Sequence, residues 1–508
     1  MSQYKGMLAE QKELLHYYGA KLGFDKSDVN DIYYPVIEQL HDILKKDVEP
    51  YVDEWDRNEV TLNKETGLVN FSPTLLKAYK SLVSDPKGLR LYESLLPEEF
   101  GGAGLPALIN AAIVEGISYY DTGLNVTIGL AITVIEAIGL YPTEYLTSKY
   151  YPLLKEGRPG YVAFTEPQAG SNLKNVKTTS VQEGDYFIAK GSKIFISNAG
   201  FGEIGILLTK DGEKGTNAFI VDNEMKNPDD PSKPGIVTTR IEEKLGIHGS
   251  STGVLDINVL IPKENLLGPQ GKGYQTVLER LMGMRMGVAQ QATGLAERAY
   301  TYARDYANER VQFGKPIGTF AGVANKLRGM ELNLSRMRRF GFEAGYVLSK
   351  FHAGQSIKTK HLKLSQDDEQ VLKEFSNQYN RGILNHVISK AKMYNSEVAY
   401  MIADDAVQIH GGNGFIRDYK VEKLLRDCRI LRIYEGTTEI QEYILNKSQG
   451  VALAKDLNSL TEIAMNPKGG PEPSNIPLDY ADLFYRKYTS IMDTYMDDNG
   501  EIRYLFDD

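Results

Sequence analysis

The sequence predicts a mainly helical protein with a β domain set in its middle, followed by a long helical bundle and a tail. Three observations predict it. Residues 1–158 carry apolar side chains at three- and four-residue spacing, the helical period. Near Tyr161 the texture changes to short β-branched and aromatic runs, cut by Gly, Asn, Asp and Pro every 10–20 residues or so. From Gly273 a stretch of about forty residues contains no proline, which suits a bundle better than a short globular helix.

In the first region, 1–158, DIYYPVIEQLHDILKKDVEPYVDEWDR reads as helix. NFSPTLLKAYKSLVSDPKG reads as another, with Ser72 as N-cap and Pro73 in its first turn. LLPEEFGGAGLP is a loop, and ALINAAIVEGISYYD returns to helix. The most apolar stretch, TGLNVTIGLAITVI, is 14 residues between Asp121 and Glu136, against the ~20 a membrane span needs, so it reads as a buried core helix. Region 159–272 holds the runs YVAFTEP, YFIAKGSKIFISNA, IGILLTK, NAFIVDN, GIVTTRI and VLDINVLIP, which predict an antiparallel barrel or sandwich. Region 273–447 reads as long helices, with a polar insert near 355–378. The tail, 448–508, begins helical, passes the linker PKGGPEPSNIP and ends acidic.

Composition bounds the function. The chain has 508 residues, 42% hydrophobic and 25% charged, which are globular values. The single cysteine, Cys428, excludes an intramolecular disulfide or a cysteine-only metal cluster and fits a reducing compartment. A net charge of −9 makes non-specific nucleic-acid binding unfavourable. The N-terminal stretch mixes charges and has no apolar core of a secretory signal. The expectation is a soluble cytoplasmic protein without an integral membrane segment.

Several motifs could carry chemistry. TEPQAGSN follows a strand, and Gly170 and Ser171 sit in a turn whose N–H groups could receive a phosphate; alone, it is an ordinary turn. In HGGNGF the paired glycines Gly411 and Gly412 allow close approach to the backbone, and His410 reads as a structural histidine. No metal cluster is expected, since HExxH and its relatives are absent. RIYEGTTEIQ places Glu435 after Ile433 and Tyr434; poor solvation there would raise its pKa and make it a usable base, while an isolated glutamate reads as a cap or ion-pair partner. ERVQFGKPI reads as a helix stop. GSSTG matches GxSxG but is followed by a strand pattern, so it reads as coincidence. The adjacent pairs Asp404/Asp405 and Asp497/Asp498 read as solvated.

Taken together and in this order, LPEEFGGAGL, AFTEPQAGSN, GSKIFISNAG, EEKLGIHGSSTG, ANERVQFGKPIGTF, VQIHGGNGF and RDCRILRIYEGTTEIQ resemble the acyl-CoA dehydrogenase family of flavoproteins. The resemblance spans Leu96 to Gln441 and implies a helical N-terminal domain, a middle antiparallel β barrel or sandwich, and a C-terminal four-helix bundle. It implies FAD and an acyl-CoA thioester, and a place in fatty-acid β-oxidation. Residues carry over by motif. Phe164 and Thr165 would line the flavin, and Ser171, beside Gly170, would reach the FAD pyrophosphate or the pantetheine. Phe195, where many members have Trp, would stack near the ring, and Ser197 would approach N5. Arg310 and Phe313 would bind FAD across a subunit interface, with Gln408, Gly411 and Gly412 on its adenosine half. Thr437 would contact the pyrophosphate. Arg285, Tyr434 and Gly436 would meet the substrate.

The same resemblance makes Glu435 the base that takes the Cα proton while hydride leaves Cβ for flavin N5, giving a trans-2-enoyl-CoA. Members with the base on the helix of Arg285 place it immediately before that arginine; here that residue is Met284, which cannot take a proton. Asn172 stands where Asp is usual and removes a charge near the diphosphate. The implied partners are electron-transfer flavoprotein and a second copy of the chain, as homodimer or homotetramer. An oxidase using O2 and a DNA-associated alkylation-response flavoprotein are the alternatives on the same fold. The acidic tail disfavours the second, and it also disfavours docking on anionic lipid. Self-packing or subunit capping is the expected role of that tail.

Overall fold

The structure is a computed structural model, and it describes residues 4–212, 214–354, 378–448, 495–496 and 502–503. The polar insert, most of the acidic tail and the pair Asp497/Asp498 lie outside the described residues. The N-terminal region comprises α1 (Lys5–Ala20), α2 (Tyr34–Asp47), α3 (Val52–Arg57), a small hairpin of β1 (Thr61–Leu62) and β2 (Val69–Asn70), then α4 (Pro73–Val83), α5 (Leu91–Leu95), α6 (Ala107–Tyr120), α7 (Thr122–Leu140) and α8 (Glu144–Lys155). The hairpin is a departure from the all-helical reading of this region.

Helix starts follow side-chain chemistry. Ser72 caps α4 by accepting from Thr74 N, with Pro73 at the first position, where its missing N–H costs nothing. Asp121 caps α7, its Oδ1 accepting from Leu124 N at 2.7 Å. Helix α7 runs 19 residues, longer than the 14-residue stretch read from sequence, so its length and apolarity alone would allow it to cross a bilayer. Its surroundings account for that apolarity, because 78% of its most apolar window is buried against neighbouring elements.

The β region has seven strands: β3 (Gly160–Ala163), β4 (Thr179–Glu183), β5 (Tyr186–Ser197), β6 (Ile204–Lys210), β7 (Thr216–Asp222), β8 (Ile236–Ile241) and β9 (Thr252–Pro262). They form one sheet, mixed rather than wholly antiparallel. Strand β7 takes one edge of β6, while β3 and then β4 share the other edge in parallel. That sharing curls the sheet. Along β6, Ile204, Ile206 and Leu208 join the main core with the helices, and Leu207 joins a second core with Phe187, Phe219 and Val259. The alternation is the period of two that a sheet buried on both faces requires. Strand β4 was not among the sequence-predicted runs, because TTSVQE is polar; the Gly184–Asp185 turn joining it to β5, with Gly184 at φ +60°, is the signal that marks it.

Helix α9 (Gly273–Glu309) runs 37 residues and is followed by a tight hairpin of β10 (Val311–Gln312) and β11 (Lys315–Pro316), more than the helix stop read from sequence. The remaining helices are α10 (Ala321–Gly354), α11 (Gln378–His410), α12 (Val421–Cys428) and α13 (Thr438–Ser448). Helices α6, α9, α10 and α11 contribute to one continuous core. Asp405 is not solvated as predicted: it is buried on α11 and ion-paired with Lys326, while Asp404 is exposed. A single-residue step along a helix moves a side chain about 100° around the axis, which separates the two.

The three regions are bolted together by buried charge. Asp56 of α3 accepts from Arg426 of α12 at 2.6 Å and lies 3.0 Å from His248. Lys423 donates to Asp121 at 2.9 Å and to Asp427 at 2.5 Å, and Asp427 accepts from Ile247 N at 2.5 Å. This junction immediately precedes the segment that carries Glu435.

Candidate active site

Glu435 lies between a short 3-10 turn (Arg429–Arg432) and α13, in left-handed backbone with φ +55°. Gly436 follows at φ +97°. A non-glycine residue pays about 1–2 kcal/mol for that conformation, so the surroundings must hold it there. They do so through its carbonyls. The Glu435 carbonyl accepts from Arg285 Nε and from Gln441 Nε2, both at 3.1 Å. The Gly436 carbonyl accepts from Lys392 Nζ at 2.7 Å and from Gln441 Nε2 at 3.1 Å. Tyr434 donates its hydroxyl to Gln291. Among the described residues, the N–H groups of Glu435, Gly436 and Thr437 donate to no protein acceptor.

The electrostatics follow from burial. Desolvation pushes the Glu435 carboxyl up to about 7, against the downward pull of Arg285 and Lys392. Desolvation pushes Lys392 down to about 7, opposed chiefly by the attraction of Glu435. The carboxyl is therefore neither extinguished by a direct salt bridge nor neutral at all working pH values, which is what a general base near neutrality needs.

A second cluster sits where β3 leads into the TEPQAGSN loop. Lys193 is fully buried and donates to Glu166 at 2.7 Å and to the Phe164 carbonyl at 3.1 Å. Glu166 also accepts from the N–H groups of Lys177 (2.6 Å) and Thr178 (3.0 Å), and these bonds outweigh burial to hold its carboxyl down to about 2. Ile194 N donates to the Thr165 carbonyl, tying the loop to β5. A bulge in the β5–β9 pairing between Lys193 and Ile196 puts Phe195 at φ +57° and leaves it 62% exposed. Phe164, Thr165, Phe195 and Ser197 thus belong to one neighbourhood, with Gly170 and Ser171 in the exposed turn beyond it. Asn172 caps the short turn that follows, accepting from Lys174 N at 3.2 Å.

The remaining predicted contacts form a third cluster at the far end of α9. Tyr306 stacks on His410 at 4.2 Å, and Asn413 bonds the Tyr306 hydroxyl at 3.0 Å. His410 Nδ1 lies 2.8 Å from the Ala406 carbonyl, which suits the structural reading of that histidine. Arg310, Phe313, Gln408, Gly411 and Gly412 are all exposed there. Phe313 is 93% exposed at the hairpin tip and Phe415 is 87% exposed. Arg310 follows Arg285 by 25 residues, about 37 Å along the helix, so one chain cannot close the two clusters over one end of a ligand.

The residues present fit a flavin nucleotide. The bulge raises an aromatic side chain clear of the sheet, and a Cβ added at Gly170, Gly411 or Gly412 would meet no atom within 4 Å, so the backbone is open to approach at each. Sequence reading missed Lys392, Gln441 and Gln291. The available signal was phase: Lys392, Asn395 and Ser396 fall on the apolar face of α11 among Ile388, Ala391 and Ala399, where a polar residue needs a reason.

Comparison with known proteins gives the family. The chain matches the acyl-CoA dehydrogenase N-terminal domain over residues 36–158, the middle domain over 162–259, and the C-terminal domain over 271–366 and 369–450. It is 34% identical over 364 residues to an acyl-CoA dehydrogenase of Bacillus subtilis, covering 69% of this chain and 85% of the relative. It is 33% identical over 364 residues to the caffeyl-CoA reductase–Etf complex subunit CarC of Acetobacterium woodii, covering 69% and 84%. Among solved structures, an acyl-CoA dehydrogenase from Bacillus anthracis complexed with FAD shares the fold with a TM-score of 0.70 at 28% identity, covering 92% of this chain and 76% of that one. With all three domains matched in order along one chain, the protein belongs to the acyl-CoA dehydrogenase family and is an FAD-dependent enzyme.

Proposed function

We propose that the enzyme removes a Cα proton and a Cβ hydride from a saturated acyl-CoA thioester, and that Glu435 is the base. The observation that carries this is the Glu435 carboxyl itself, raised by burial to about 7 while its carbonyl is bonded by Arg285. FAD, when bound by the Phe164, Thr165, Ser171, Phe195, Ser197 and Thr437 neighbourhoods, supplies the acceptor for the hydride. The chain's own task is proton chemistry. Glu435 accepts the Cα proton, and its free N–H is a donor for the thioester oxygen as negative charge develops there. Arg285, buried beside Glu435, keeps positive charge in the same cleft. A carbon–carbon double bond forms between Cα and Cβ as the two hydrogens leave, and the product is a trans-2-enoyl thioester.

Electron-transfer flavoprotein is the electron acceptor in this reading, in line with the Etf complex named for the Acetobacterium relative. The exposed Arg310, Phe313, Gln408 and Gly412 cluster serves the FAD of a second copy, because it is too far along α9 to serve its own Arg285 end. The test is anaerobic flavin reduction across straight-chain and branched acyl-CoAs. Wild type bleaches with at least one of them; Glu435→Gln binds the same thioester and slows bleaching by about 1000-fold, the scale of a lost general base. A Glu435→Gln enzyme that keeps full turnover removes the assignment.

A further inference from the structure

Hydrogen bonds from Arg285, Lys392 and Gln441, on α9, α11 and α13, meet on the adjacent carbonyls of Glu435 and Gly436. From this geometry we propose that Lys392 and Gln441 are positioning residues for proton transfer, clamping the Glu435–Gly436 backbone in its left-handed turn so that the carboxyl faces the substrate. The inference rests on Glu435 being the base. In a trans peptide the N–H points opposite the C=O. Pinning the carbonyls of residues 435 and 436 to the protein turns the N–H groups of Gly436 and Thr437 the other way, and among the described residues both donate to no protein acceptor.

Glycine at 436 is part of the same device. Its φ of +97° suits glycine, and a Cβ there would come within 2.6 Å of Gln441 Nε2. A side chain would push the glutamine off both carbonyls. Lys392 is placed with equal consequence. Bonded to the Gly436 carbonyl, it adds charge near the base without occupying the carboxylate. The charged groups facing Glu435 are Arg285 from α9 and Lys392 from α11; those facing Lys392 are Arg285, Glu435, Glu397 of its own helix and Glu439 of α13.

The test uses the FAD-loaded enzyme and the acyl-CoA that reduces wild type fastest. Lys392→Met lowers the rate of flavin reduction by about 10- to 100-fold, with half-saturation within about twofold of wild type. It also moves the acid limb of the pH profile up by about half a unit or more, because a cation beside Glu435 is gone. Lys392→Arg, which keeps charge and donor, returns the limb toward wild type. Gln441→Leu slows reduction by about 10-fold and leaves the limb in place, since only a neutral donor is lost. A fold-maintenance role would lower melting temperature and FAD content without moving the limb. If Lys392→Met does not fold, Lys392→Gln carries the limb reading, because it also removes the charge, and Gln441→Leu carries the rate reading. Wild-type rates and limb in the variants, with Glu435→Gln inactive, overturn the clamp alone. Full activity of Glu435→Gln overturns the base, and the clamp with it.

Discussion

Two desolvated glutamates, Glu166 buried and Glu435 half-buried, each have a buried lysine for company, and they end in opposite electrostatic states. Glu166 receives the Lys193 ammonium directly on its carboxylate, with two backbone N–H groups besides, and is held down to about 2. At Glu435, Lys392 donates to the next residue's carbonyl instead, and the carboxyl rises to about 7. The contrast teaches that a nearby cation does not decide a carboxylate's role. What decides it is whether the cation's hydrogen bond lands on the carboxylate or on the backbone. The first makes a brace; the second leaves a carboxyl that titrates near neutrality.

The comparison breaks most visibly in the chemistry. Glu435→Gln should cost about 1000-fold in flavin reduction, whereas Glu166→Gln should leave the reduction step within about 10-fold once FAD is bound. Stopped-flow traces of the two variants side by side decide this, and comparable losses would erase the distinction. Next in size is stability. Lys193→Met leaves Glu166 without its ammonium and should destabilise the fold by about 3–5 kcal/mol, read by denaturant unfolding. The sign with pH is set by the lowered carboxyl: the stabilisation from Glu166 is present above about 4.5 and is lost as pH falls through about 2.

Glu435 should show the reverse. Its folded value is raised, so its contribution is present below about 4.5 and is lost as pH rises through about 7. Glu435→Gln should therefore gain on wild type between those values, by roughly 3 kcal/mol at most. Paired melts at pH 5 and pH 8 check it, and an unchanged gap contradicts the raised carboxyl. An effect of similar size and the same sign belongs to the interdomain junction. His248 is raised to about 9, first by its hydrogen bond to Asp56, so its stabilisation is full below about 6.5 and fades as pH rises through about 9. His248→Gln should flatten that alkaline fall, an effect of roughly 3 kcal/mol at most.

Much of this was legible in one dimension because local rules govern it. Apolar spacing located α2, α6 and α9, and Ser72 followed by Pro73 announced the start of α4. The motif containing Glu435 could be found by inspection. Strand β4 could not be read from polarity, because its residues alternate little, and Asp405 could not be told from Asp404 without knowing which helix face meets Lys326.

The sequence by itself determined the succession of helical, β and helical regions and the family, and it singled out Glu435 as the proposed base, since each depends on residues close together in the chain. Only the tertiary structure decided that Arg285, Lys392 and Gln441, from three separate helices, meet on the backbone beside Glu435. Desolvation and the landing point of a hydrogen bond are properties of what surrounds a group in space, and no local pattern encodes them.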